Sequence, residues 1–254
     1  KISEMAKHIG IQVNFHPGHL NTTAKSREYA AKTKTQAPDA VLAVCLSDAC
    51  KKWSYDIIKT VGVPGIIYLP TGAYHQTPPK LLTNTPGLHS IISIENWDEI
   101  DRSLRAVHAK KMVAQSRLLR IAGGNKGQST DKQLGFETVY VLAEEYNSLF
   151  DSIKPDEGMK NNAMAFKKSA SWVMNVTDHY ITDGFRAHKT VATLLQRYGG
   201  DAITINCLFL QHRKPCISFS INNGNLTPCA CENDLNATLT MMLGTHLFGR
   251  AGFQ

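Results

Sequence analysis

Short, unbroken apolar runs separated by helix-length segments constrain this chain more than any other feature. Residues 40–46 read AVLAVCL and Ile66–Leu69 is a further apolar run, while Arg117–Ile121 and the stretch DAITINCL over 201–208 read as strands with polar residues among the apolar ones. A strand buried on both faces reads as a continuous apolar run, whereas a half-exposed strand alternates. The intervals hold amphipathic segments long enough to cross back over a sheet, which is βαβ logic. The pattern predicts an α/β chain with mostly parallel sheets and helices on both faces. At roughly 100–200 residues per domain, 254 residues make one large domain or two ordinary ones. The alternation restarts near 110–116, so we expect two α/β domains, 1–113 and 114–254.

Local signals place the elements. Residues 2–9 and 24–34 read as helices, and Ile11–Phe15 alternates like a strand. Ser47 or Asp48 is positioned to cap a helix over 49–60. The proline-containing stretch 70–88 reads as a long loop, and long loops at strand ends are often functional. Leu88–Ile94 reads as a strand. Asn96 or Asp98 is placed to cap a long helix reaching Gln115. Strands are expected at 117–122 and 137–142, and Lys154–Lys168 reads as an exposed loop. A helix over 184–198 stops at Gly199-Gly200.

Composition excludes several classes. With 43% hydrophobic and 19% charged residues the chain is globular, not disordered. No apolar stretch is long enough for a membrane span, and the first residues, KISEMAKHIG, lack the apolar core of a signal peptide. The net charge of +7 comes from 28 Lys and Arg spread along the chain. No zinc-finger, aromatic or heptad-linked basic pattern points to nucleic acid. The six cysteines read as reduced thiols, with Cys45, Cys207 and Cys216 as small buried hydrophobes. The sequons at Asn21, Asn175, Asn225 and Asn236 are read as chance. A cytoplasmic protein without nucleic-acid or membrane partners is the expectation.

Few motifs bear chemistry. Gly123-Gly124-Asn125-Lys126-Gly127 follows a strand but lacks phosphate-loop spacing, and reads as a flexible exit. Cys207, His212, Cys216, Cys229 and Cys231 do not match zinc-ligand spacing. Ser47-Asp48 lacks a nucleophile elbow. The strongest feature is Cys229–Leu243, a short apolar run followed by Glu232 and Asp234 and then a helix. Leu235, Leu239, Met242, Leu243 and Leu247 share one helix face, and Gly249 sits where it should stop. Asp234 suits an N-cap, and the positive end of the helix dipole would keep both carboxylates ionised. Capping by Asp234 with Glu232 as an exposed loop acid is one reading. A site is the other, because open α/β sheets bind ligands at strand-to-helix junctions.

The stretches YGGDAITINCL, PCISFSINNGNLTPCACENDLNATLTMMLGTHLFGRAGF and, more weakly, SRLLRIAGG resemble the L-fucose isomerase and L-arabinose isomerase superfamily. The likeness is specific over Tyr198–Gln254. Over 1–190 it is agreement in the order of strands and helices. It implies two Rossmann-like or flavodoxin-like domains, and it turns the segment in which Ile217, Phe219 and Ile221 alternate like a strand into a helix ending at Gly224, with Pro215 suited to its first turn. It implies aldose–ketose isomerisation, an intramolecular redox reaction, through an enediol, aided by a divalent metal, usually Mn²⁺, which polarises the carbonyl beside a positioned base. Glu232 maps onto the motif's metal ligand or acid/base, and Asp234 onto its Asp, whose role varies. A sugar substrate and a homo-oligomer are implied as partners.

Two departures qualify the likeness. Leu208 stands where the family carries a further metal carboxylate. The family's β-rich, His-bearing domain would follow Phe253, so the chain is expected to be a fragment, inactive alone as an isomerase. The alternative is a non-catalytic carbohydrate-binding or regulatory relative that lost the metal site. A periplasmic-type sugar-binding protein is a third class, disfavoured by the acid-bearing helix motif.

Overall fold

The computed structural model describes residues 1–47, 49–70, 84–250 and 252. The chain divides into two compact α/β units, Lys1–Lys111 and Met112–Gln254. The sequence-predicted loop at 70–88 and the cap candidate Asp48 fall largely outside the described residues.

The first unit is built on a parallel three-stranded sheet in the order β1 (Val41–Val44), β2 (Gly65–Leu69), β3 (Leu88–Ile92). The central strand is buried along its whole length, as its unbroken apolar sequence requires. Its side chains alternate between two cores. Ile67 and Leu69 meet Ala30 of α2 (Thr23–Thr35) and Ile57, Ile58 and Val61 of α3 (Cys50–Val61). Ile66 and Tyr68 meet Ile100 and Leu104 of α4 (Trp97–Gln115), with Met5 and Ile9 of α1 (Ile2–Ile9) alongside. Asn96 caps α4, accepting the Glu99 N–H at 3.2 Å. Ser47 gives α3 no side-chain cap. Its carbonyl accepts the Cys50 N–H, while its hydroxyl lies 3.1 Å from the Cys50 thiol.

The second unit carries a five-stranded sheet in the order β5-β6-β4-β7-β8. Its strands are β4 (Arg117–Ile121), β5 (Gly127–Thr130), β6 (Glu137–Val141), β7 (Ala202–Ile205) and β8 (Cys229–Cys231). All pairings are parallel except the edge pairing of β5 with β6. Leu119 and Ile121 face one core with Tyr146 of α5 (Ala143–Ser152), Val191 and Leu194 of α7 (Asp178–Tyr198) and Phe219 of α8 (Cys216–Gly224). Leu118 and Ala202 face the other, with Val113 of α4 and Met242 of α9 (Leu235–Phe248). Helices therefore cover both sheet faces, and the expected α/β class with mostly parallel sheets is what the chain adopts. Gly199 ends α7 in the left-handed conformation, at φ 61°. A Cβ on the next residue, Gly200, would sit 2.7 Å from the buried Leu119 side chain.

Three local expectations are corrected. Ile11–Phe15 is not a strand. Ile11 and Val13 are half-buried between exposed neighbours, so the alternation reports packing on one side without a strand partner. The expected loop over 154–168 is mostly helix, α6 (Glu157–Ser169). Its polarity reflects a solvated outer face, with Ala163 buried against Ile181 and Phe185 of α7. The helix starts where Asp156 accepts the Met159 N–H at 2.8 Å. Cys216, expected to be buried, is exposed at the start of α8.

The capped helix α6 gives a direct check. Losing a side-chain N-cap costs about 1 kcal/mol. Asp156→Ala should therefore speed amide exchange across Glu157–Ser169, and Asp156→Asn should restore protection. Exchange at loop-like rates throughout this segment in the unaltered chain would contradict the assignment.

Candidate functional site

The carboxyl edge of the second sheet is where its topology leaves room for a ligand. From β4 the chain goes to β5 and β6 on one side, with β6 next to β4, then to β7 and β8 on the other. In open α/β sheets, ligands lie outside the carboxyl ends of strands at such a reversal. Three segments meet that edge: the turn after β4, the 3₁₀ turn Cys207–Phe209 after β7, and the turn Glu232–Asp234 after β8.

The Glu232–Asp234 turn is unusual in its backbone and held at several points. Glu232 and Asn233 both adopt left-handed conformations, at φ 57° and 62°. Such residues cost roughly 1–2 kcal/mol each, less for Asn, whose short polar side chain bonds locally. The Asp234 N–H closes the turn onto the Cys231 carbonyl at 3.1 Å. The Asn233 N–H donates to the Ile205 carbonyl of β7 at 3.1 Å. From β4, Arg120 donates through Nε to Asn233 Oδ1 at 2.6 Å. Asp234 then caps α9, accepting the Ala237 N–H at 2.9 Å. Strands β4 and β7 thus both anchor the turn that begins at the end of β8.

Glu232 is exposed at this edge, and Asp234 is half-buried in its capping role. The two sequence-predicted acids are therefore adjacent but differently engaged. Asp234 meets the structural expectation of an N-cap. Leu208 is also exposed at the same edge, at 58%. Among the described residues no group of three or more His, Cys, Asp or Glu is arranged to hold a metal ion. Glu232 supplies one carboxylate, and Leu208 supplies no donor. The described residues alone do not fit the full Mn²⁺ site that the family likeness implied.

Arg120, Tyr140 and Asn233 were not singled out from the sequence. Arg120 and Tyr140 are register partners on β4 and β6, and the guanidinium lies 5.7 Å from the Tyr140 ring centroid. A hydrogen bond to Ser129, and then the nearby Arg120 charge, draws the Tyr140 phenol below its ordinary pKa. The available signal was a second arginine, next to the end of the strand segment RLLRI over Arg117–Ile121. Read as a strand, that run places Arg120 on the same face as Leu118.

The other motifs do not form a second centre. Gly123–Gly127 leads into β5, which pairs antiparallel with β6, so no helix N-terminus is aimed at a phosphate. Burial pushes the Cys231 thiol up to about 11, with Cys207 the next contributor, and pushes Cys229 up to about 12. A cleft of about 340 Å³ lies at the opposite, amino-terminal end of the strands, beside Ser116, Asp201, Pro228 and Thr245. Its size makes it a ligand candidate, but it lies away from both predicted acids. We favour the carboxyl edge because it combines the exposed acid, the pinned turn and the topological reversal.

Compared with known proteins, the chain matches no family model and, at a significant level, no curated protein.

The left-handed turn yields a stability prediction. Glycine occupies that conformation without a Cβ penalty. Glu232→Gly should leave stability unchanged or raise it by up to about 1 kcal/mol, despite removing a charged side chain, as read from denaturant unfolding. A loss above about 1 kcal/mol would show that the Glu232 side chain itself supports the fold. The cysteines give a second check. At pH 8 a thiol reagent should modify exposed Cys216 first, and Cys45 and Cys229 only on unfolding. Rapid native-state labelling of Cys229 would contradict its burial at 1% exposure.

Proposed function

We propose that the chain binds a small sugar at the carboxyl edge of its second sheet, in the manner of the L-fucose and L-arabinose isomerases it resembles. The observation carrying this reading is Glu232, an exposed carboxylate held in a left-handed turn at the strand ends. Strain kept by the surrounding structure tends to accompany functional sites.

Aldose–ketose isomerisation is the reaction proposed for that edge. Glu232 would take the proton from C2 of the open-chain aldose and return it to C1 of the enediol, while the hydroxyl proton moves between the two oxygens. Asp234 would hold the helix start that fixes the Glu232 turn. Mn²⁺ remains part of the proposal through the family likeness alone, with Glu232 its candidate ligand. No step is assigned to it, because the described residues do not supply its remaining donors.

Leu208 favours a second reading, a relative that binds a sugar without turning it over. The exposed side chain offers neither metal coordination nor proton transfer where the family carries a carboxylate.

Among the described residues no helix is long and apolar enough to cross a membrane. A cytoplasmic location is proposed. A homo-oligomer is proposed as well, supported by Met164, Trp172 and Met174, large apolar side chains 60–72% exposed within eleven positions. Exposed apolar side chains that form a contiguous patch often mark association surfaces.

Calorimetric titration of an aldose panel, with and without Mn²⁺, and an assay for ketose product test the reading. Binding of at least one sugar is expected, weakened several-fold by Glu232→Gln with little change in melting temperature. Ketose formation would select the enzyme, and binding without turnover the second reading. No binding by any sugar, or full binding by Glu232→Gln, would overturn the Glu232 site.

A further inference from the structure

Among the described residues, the half-buried arginines follow a regular pattern with one exception. Four half-buried arginines each bond a carboxylate: Arg105 to Asp101 at 2.6 Å, Arg117 to Glu137 at 2.7 Å, Arg186 to Asp183 at 2.7 Å and Arg213 to Asp151 at 2.8 Å. Arg120 is also half-buried, yet among the described residues it forms no ion pair. Its Nε is bonded to a neutral amide oxygen, and its guanidinium carbon lies 5.7 Å from the centroid of the neutral Tyr140 ring. Glu232, one residue from that amide, does not pair with it.

A guanidinium partly removed from water retains its full charge, and a carboxylate or phosphate is the partner its planar donors match best. Here the Asn233 bond occupies Nε, and the guanidinium charge also acts on the Tyr140 hydroxyl. Tyr140 restricts the side chain from the β6 side. The charge sits on the central strand β4, beside the reversal in strand order where this type of sheet takes ligands.

We propose that Arg120 receives the anionic group of a small ligand, a carboxylate or a phosphate, at the carboxyl edge of the second sheet. The ligand class is then an acidic or phosphorylated sugar in preference to a neutral one. This deepens the sugar-binding reading above and rests on its choice of edge. Asn233 acts as a positioning residue, leaving Arg120 oriented but not neutralised.

The test is titration of the full chain with D-glucuronate, D-glucose 6-phosphate, inorganic phosphate and D-glucose, followed by calorimetry. At least one anion should bind tenfold or more tightly than D-glucose. Glucuronate preference assigns a sugar carboxylate, glucose 6-phosphate preference a sugar phosphate, and phosphate alone a free anion. Arg120→Gln should reduce that binding at least tenfold. Because Arg120 also supports the turn, Asn233→Asp is the decisive companion. Asp is among the residues that tolerate a left-handed backbone, and its carboxylate would neutralise Arg120 in place, so anion binding should again fall tenfold. Equal affinity for anions and D-glucose, or full anion binding in either folded variant, would overturn the proposal. Turnover of a neutral aldose with no anion preference would sink this inference alone. Anion binding that depends on Arg120 with no turnover would sink only the isomerase reading.

Discussion

Burial of the central parallel strands on both faces is the constraint on which the second unit depends. Leu118 and Leu119 are neighbours in sequence, point to opposite sides of the sheet, and are both at 0% exposure. Each therefore requires its own helical layer, and the chain supplies them as α5, α7 and α8 on one side and α9 with the end of α4 on the other. Fully burying a leucine side chain contributes about 1.5–3 kcal/mol, so neither layer can be lost cheaply. The same requirement shapes the first unit around Ile66 and Ile67. Parallel strands need crossovers, so every strand end opens into a connection at one edge. That leaves the carboxyl edge of the second sheet as a row of short turns, where polar side chains can be presented without disturbing either core.

What makes this edge more than a row of loops is its mutual bracing. The Glu232–Asn233 turn would be costly if isolated. It is tied to β7 through the Ile205 carbonyl, to β4 through Arg120, and to its own helix through Asp234. The result is an exposed carboxylate on a defined backbone with a cation nearby on the same sheet edge. It is Arg120 at this edge that the proposed ligand, a small sugar bearing a negative group, would meet.

The elements most legible in the sequence were those set by burial. Ile66–Leu69 announced a strand because two-sided burial leaves no polar position in its middle. AVLAVCL over 40–46 also holds a strand, but one with Val41 buried and Val44 exposed, and Arg117–Ile121 is a strand in spite of Arg120. The ends of α7 and α9 were legible because Gly199 and Gly249 adopt a left-handed conformation that few other residues tolerate. Asp234 was legible as a cap for a similar local reason. The misreadings occurred where local pattern and tertiary context part. Ile11–Phe15 alternates but has no strand to pair with. Glu157–Ser169 looks like a loop because only a narrow stripe of α6 is buried. For the candidate site, Glu232 was visible from its junction. Arg120 and Tyr140 were not, since their pairing follows from the register of β4 and β6, which no local window contains.

The central claim is that the carboxyl edge of the second sheet, and not the cleft at its amino end, receives the ligand. Mapping amide chemical-shift changes by NMR during titration with the tightest-binding sugar or sugar acid tests it most directly. The account predicts changes concentrated at Gly123, Asn206, Glu232 and Asn233. Changes concentrated instead at Ser116, Asp201, Thr227 and Thr245 would contradict it.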